Sequence, residues 1–290
     1  MTIRKILVPL SGRHAADDPQ SVDVPALSAA FSLAQKFEAK LEALCVTQAR
    51  NTKDTVWDDW IPDYGMDELL DAIERQEDAR NRQAKESYDK VQGDVEGTPK
   101  PKASFVEQVG EVGETVGAFG RLSDLIVVAS SETTWNARSR PILDAAFRRT
   151  ARPVFVAPLN VDTADCATVA LAWNNTAAAA RAVAGAMPFL QAAKKVNILC
   201  CDEGDEYLMD DNAEGLVAYL KLHGVSAKVH RFVGHGGWQS PEAIVNKAVE
   251  LESDLLVLGC VIHRRALNLL YGSLTETVLE SPRLPTLLVP

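Results

Sequence analysis

The sequence predicts an α/β protein built from two doubly wound parallel-sheet domains in one chain. Three observations carry that prediction. Four segments of the first half recur, in order, in the second. Their apolar runs are short and continuous rather than alternating, which suits strands buried on both faces. Helical patterns separate the runs, and repeated strand–helix alternation is the mark of a doubly wound sheet.

Taken in order, KILVPLSG (Lys5–Gly12) answers TVALAWNN (Thr168–Asn175), and AKLEALCVTQ (Ala39–Gln48) answers KVNILCCDEG (Lys195–Gly204). The stretch from Lys102 to Ser130 answers that from Ala227 to Cys260, and RPVFVAP (Arg152–Pro158) answers LPTLLVP (Leu284–Pro290). Between strands one and two of the second half, Ala179, Val183, Met187 and Leu190 recur at helical spacing. Pro188 lies inside that pattern and is expected to bend or interrupt the helix. In SPEAIVNKAVELE, Ser240 suits an N-cap, Pro241 the first helical position and Glu242 the first turn. The polar stretch LNVDTADCAT (Leu159–Thr168) divides the chain into domains 1–160 and 164–290. The halves differ most at about 51–102, where the first carries a long charged helix from Met66 to about Val91 and a Gly/Pro/Lys linker. The second uses only about Asp205–Val225 for that connection. Trp57, Trp60 and Tyr64 precede the long helix, either covering apolar surface of their own domain or offering a docking surface to a protein partner.

The 290 residues are 47% hydrophobic and 24% charged, with a formal net charge of −10. That balance builds a large core, and the acidity disfavours binding to nucleic acid. Any phosphate ligand would need backbone amides. No run approaches the roughly 18 apolar residues needed to span a bilayer, and the N-terminus enters a strand without a signal-peptide pattern. The expected location is the cytoplasm. Five cysteines (Cys45, Cys166, Cys200, Cys201, Cys260) lack C-x-x-C spacing, and the four other than Cys166 sit in or beside apolar runs, as buried thiols do.

The last forty residues carry the most pointed pattern. Gly259 ends the fourth strand of the second half, and Gly272-Ser273 opens the helix before the fifth. In open α/β sheets, ligands bind beyond the carboxyl ends of the strands, at the switch in strand order. A glycine there allows close approach of a ligand, and a helix N-terminus favours an anion. His263, Arg264 and Arg265 add positive charge between them. Spacing alone equally allows a simple turn glycine and an ordinary N-cap.

On these residues the chain resembles a tandem universal stress protein, over nearly all of 3–158 and 166–290 apart from the insertion. The resemblance implies five strands in the order 3-2-1-4-5 in each half. It also implies last strands that pair about a pseudo-twofold axis as an intramolecular domain dimer, with a further homodimer open. It implies a stress-response protein without enzymatic activity that binds ATP or AMP in the C-terminal half only, with no metal beyond nucleotide-associated magnesium. The implied nucleotide-binding residues are Ala172, Asn174, Leu258, Gly259, Gly272, Ser273 and Leu274. Asn174 stands where the family carries an adenine-contacting Asp, and Ile262 where it carries a second glycine. In the first half Ala129 and Glu132 replace the two glycines, Arg140-Pro141 replaces Gly-Ser, and Ser11 replaces the Asp; nucleotide is not expected there. The alternative is a nucleotide-independent adaptor of the same fold, and a weak ATPase is a third reading.

No catalytic or metal site is expected. The histidines (His14, His223, His230, His235, His263) form no metal-binding pair at helical spacing, and Ser11 and Ser273 have no evident base. Asp58-Asp59 and Asp210-Asp211 read as surface charge, and GHGGW (Gly234–Trp238) as a loop over the cleft.

Overall fold

The computed structural model of the chain describes residues 2–12, 14–15, 18–48, 66–97, 100–130, 139–159, 165–202, 212–233, 241–260, 262–263, 270–271, 278–279 and 283–290. The Trp57–Tyr64 cluster, Glu132, Asp210-Asp211, GHGGW, Ser240 and Gly272–Leu274 lie outside these residues.

Ten strands form a single sheet. In chain order they are β1 (Lys5–Leu10), β2 (Lys40–Thr47), β3 (Ala103–Val109), β4 (Leu125–Ala129), β5 (Val154–Ala157), β6 (Thr168–Ala172), β7 (Lys195–Asp202), β8 (Ala227–Val233), β9 (Leu255–Gly259) and β10 (Thr286–Val289). Across the sheet the order is β8-β7-β6-β9-β10-β5-β4-β1-β2-β3. Each half is therefore a parallel 3-2-1-4-5 sheet, and the halves join through antiparallel β5 and β10.

Among the described residues, seven helices cover the two faces: α1 (Asp23–Lys36), α2 (Met66–Asp94), α3 (Val112–Arg121), α4 (Ser139–Arg148), α5 (Ala177–Ala192), α6 (Ala213–Leu222) and α7 (Pro241–Glu250). Buried residues of α1, α2, α5 and α6 form one core, and those of α3, α4 and α7 the other. Each core runs through both halves, so the pseudo-twofold axis stands perpendicular to the sheet. The central register obeys that axis: Phe155 faces Leu287, while Val156 faces Thr286 and Val154 faces Leu288. Continuous burial of these strands explains their unalternating apolar runs.

The duplication also reaches individual hydrogen bonds. Asp124 accepts from the amides of Arg4 and Lys5 at 2.8 and 3.0 Å. Asp254 accepts from those of Ala167 and Thr168 at 2.9 and 3.0 Å. Each carboxylate pins the start of its half's first strand to the start of its fourth.

Two local expectations are revised. Helix α5 runs unbroken through Pro188; Met187, Pro188, Phe189 and Leu190 are all buried, and that packing offsets the missing backbone donor. Cys45, Cys166, Cys200 and Cys260 are buried, but Cys201 is half-buried. Burial pushes the Cys166 thiol up to about 12, which keeps it protonated and unreactive.

One ion-pair set distinguishes the halves. Glu42 on β2 meets Lys5 Nζ at 2.6 Å and Lys40 Nζ at 2.7 Å. Burial raises the pKa of this carboxyl, but the hydrogen bonds from Lys40 and Lys5 outweigh it and hold it below its ordinary value. A depressed carboxyl contributes stability above its unfolded pKa and loses it as pH falls through the folded value. Glu42→Gln is therefore expected to cost about 1 kcal/mol at pH 7. The gap to the parent should close as pH drops below 4.5, the ordinary value for this group, as read from urea unfolding midpoints across that range.

Candidate functional site

The crevice of each half lies at the carboxyl ends of its first and fourth strands, where the strand order switches. In the second half these are the ends of β6 and β9. The amide of Trp173 extends the β6 ladder by donating to the Leu199 carbonyl at 2.9 Å. The chain then turns through Asn174 and Asn175 into α5. Asn175 has a left-handed φ of 54°, which asparagine tolerates better than most residues. Thr176 caps α5 by accepting from the Ala179 amide at 3.3 Å, and its hydroxyl donates to Asn174 Oδ1 at 2.7 Å. Residues 174–176 are exposed, and Asn174 Nδ2 has no partner among the described residues.

The strand-end residues divide their roles. Ala172 packs on the core of α3, α4 and α7, whereas Trp173 packs on the opposite core. Leu258 is fully buried in the first of these, so its side chain serves packing and only its backbone borders the crevice. A Cβ on Gly259 would lie 2.5 Å from the Ala178 carbonyl carbon and oxygen of α5. Close seating of helix on strand thus demands glycine here, the third of the roles that glycines fill in dinucleotide folds. Beyond β9, the Cys260 amide donates to the Val289 carbonyl at 2.7 Å. Ile262 and His263 then pair antiparallel with Tyr271 and Leu270. Extended pairing is a conformation that suits β-branched isoleucine, and this accounts for Ile262 where a glycine was expected.

The first half builds the same turn and closes it. Ser11 and Gly12 occupy the places of Asn174 and Asn175, and Gly12 also has a left-handed φ, 63°. Asp23 Oδ1 accepts from the Ser11 amide and hydroxyl, both at 2.9 Å, and Oδ2 from the Gly12 amide at 2.7 Å. Burial pushes the Asp23 carboxyl up, against the pull of those donors. Helix α2 lies across this turn: a Cβ on Gly12 would stand 2.3 Å from the Arg80 carbonyl oxygen. Asn81 donates to Thr47 Oγ1 at 2.7 Å, and Glu77 accepts from the Gln48 amide at 3.4 Å. At the fourth strand, the Ser130 hydroxyl donates to the Leu279 carbonyl of the other half at 3.0 Å. Asp23 and the α2 contacts were missed in the sequence; α2 read only as a long charged helix, and no spacing ties Arg80 to Gly12.

No model of a known protein family matches the chain, and no curated protein matches it. Solved structures do. A universal stress protein from Archaeoglobus fulgidus DSM 4304 superimposes with a TM-score of 0.68, covering 98% of this chain and 97% of that one at 13% identity. A functionally unknown protein from Pseudomonas aeruginosa PAO1 gives a TM-score of 0.56, covering 99% and 92% at 16% identity. The chain thus has the fold of a universal stress protein structure along its whole length. No described helix is long and apolar enough to cross a membrane.

The glycine roles can be separated by mutation. Gly259→Ala should destabilise by about 1–3 kcal/mol through overpacking against α5. Gly93→Ala, inside α2 with nothing within 4 Å of the new methyl, should stabilise by about 0.5–1 kcal/mol. Thermal melts of the two variants beside the parent check both signs.

Proposed function

We propose that this chain is a non-enzymatic stress-response protein of the universal stress class that binds one adenine nucleotide, ATP or AMP, in its C-terminal half. The observation that carries the reading is the asymmetry of the two crevices. In the first half Asp23 and α2 occupy the end of the first strand, whereas Asn174 and Thr176 present exposed polar groups at the equivalent place. The whole-length likeness in fold to the Archaeoglobus fulgidus universal stress protein supports it.

In this reading Asn174 offers its amide to the base edge, and the backbone at Leu258 and Gly259 borders the ligand. Ala172 forms the floor. Gly272, Ser273 and Leu274 hold the phosphates through their amides and a hydroxyl, with any magnesium carried by the nucleotide. The overall charge of −10 makes such backbone donors the means of attracting phosphate.

Titration calorimetry with ATP and with AMP should give one site per chain. Gly272→Arg should abolish the heat, and Ser11→Ala should leave it unchanged. Absence of heat from either nucleotide on folded protein overturns the proposal. Steady phosphate release from ATP overturns its non-enzymatic part.

A further inference from the structure

One buried position is filled in opposite ways by the two halves. On β2 it is Glu42, whose carboxylate meets Lys40, two residues earlier on the same face, at 2.7 Å and Lys5 of β1 at 2.6 Å. On β7 it is Asn197, third in a strand that likewise begins with a lysine, Lys195. Asn197 is fully buried. Its Oδ1 lies 3.1 Å from His230 Nε2, while its Nδ2 has no hydrogen-bond partner among the described residues. A buried donor left unpaired carries the full cost of its lost hydration.

Positive charge gathers around that donor. The register of β7 with β8 sets Lys228 beside Asn197, and alternation puts Lys195, Asn197, Lys228 and His230 on one face of the sheet. Helix α7 packs on that face and brings Lys247, which binds Glu250 at 2.7 Å. Lys195 and Lys228 are exposed and form no ion pair among the described residues. Burial, then Lys228, Lys247 and Lys195, push the His230 ring down, and Glu250 opposes them. The place that supplies its own carboxylate in the first half thus supplies donors and cations in the second.

We propose that Asn197, His230, Lys195 and Lys228 form a site for a small tetrahedral oxyanion, of the phosphate or sulfate class, at the outer flank of α7. The anion plays the part of the Glu42 carboxylate: it accepts from Asn197 Nδ2, and two lysines close on it as Lys5 and Lys40 close on Glu42. His230 is half-buried, so the site lies one side chain from solvent. Local positive charge draws an anion despite the overall charge of −10. The site is distinct from the nucleotide crevice, because Asn197 and Lys228 lie near the amino ends of β7 and β8. An anion beside the ring favours its protonated form, so His230 reports occupancy.

The test follows the His230 ring by NMR in the full chain between about pH 5 and 8, with His230→Gln to assign its signal. Inorganic sulfate is the probe, since its charge is constant over that range. Sulfate should raise the pH at which the ring half-titrates, beyond the effect of chloride at equal ionic strength. Asn197→Asp keeps the shape of the side chain but puts a carboxylate oxygen in place of the unpaired donor. Its ring should titrate higher without sulfate and no longer respond to it. Lys228→Gln should weaken the sulfate midpoint about tenfold. Gly272→Arg, directed at the nucleotide crevice, should leave the response unchanged. Sulfate acting no more strongly than chloride overturns the proposal. So does a response that survives Asn197→Asp, or one that disappears with Gly272→Arg. Should Asn197→Asp fail to fold, Lys228→Gln decides, because Lys228 is exposed; a midpoint it does not move overturns the site.

Discussion

The pairing of β5 with β10 is the constraint on which the rest of the molecule depends. Both strands are short and wholly buried, and neither half alone could cover such an edge. Their union makes two cores that ignore the division between halves. Phe189 of α5 stacks on Phe155 of β5 at 6.4 Å and meets Phe37, just past α1, edge-on at 5.1 Å. Gly185 sits where helix crosses seam: a Cβ there would lie 3.0 Å from Val289 and 3.3 Å from Pro153. Stability at this seam is therefore shared by both halves. Covalent fusion keeps the two edges at high effective concentration, which a separable dimer would have to reach by mass action.

Fusion also frees the halves to diverge. In a dimer of identical chains every substitution alters both clefts, whereas here each half changes alone. What has stayed equal lies where the sheet needs it, in the Asp124 and Asp254 clips and the twofold register of the seam. What has changed lies at the strand ends and on the outer strands. Glu42 binds two lysines, while Asn197 in the same place of β7 meets His230 at 3.1 Å. Burial and the nearby Lys228, Lys247 and Lys195 push His230 down, against Glu250, and favour a neutral ring beside that amide.

Much of this was legible in the sequence because strands buried on both faces leave continuous apolar runs and a duplication leaves matched runs. The strand–helix alternation and α2 followed from them, while strand order and the joining of the last strands were implied by the resemblance to a tandem universal stress protein. Contacts between residues remote in sequence left no such trace. The glycine at 259 looked like a place for a ligand, yet its nearest neighbour is the backbone of α5. Leu258 looked like a wall of the crevice and is core. Ile262 looked like an obstruction and is a strand residue in a paired arm. Pro188 looked like a break and is carried by the packing around it. At Gly259, Leu258 and Pro188 tertiary packing, rather than local preference, set the outcome.

The turn after the first strand shows how one backbone serves two purposes. Gly12 and Asn175 occupy equivalent positions with φ of 63° and 54°, so the duplication preserved a left-handed residue through both copies. The side chain there depends on what lies above it. Under α2 there is no room for a Cβ, and glycine is required. Where no helix among the described residues lies over the turn, asparagine tolerates the same φ. Asp23 completes the closed version by bringing a carboxylate to the Ser11 and Gly12 amides. Its raised pKa records the cost of burying that charge. The first half thus satisfies from within the chain the donors at its strand end, and the second leaves the matching surface facing outward.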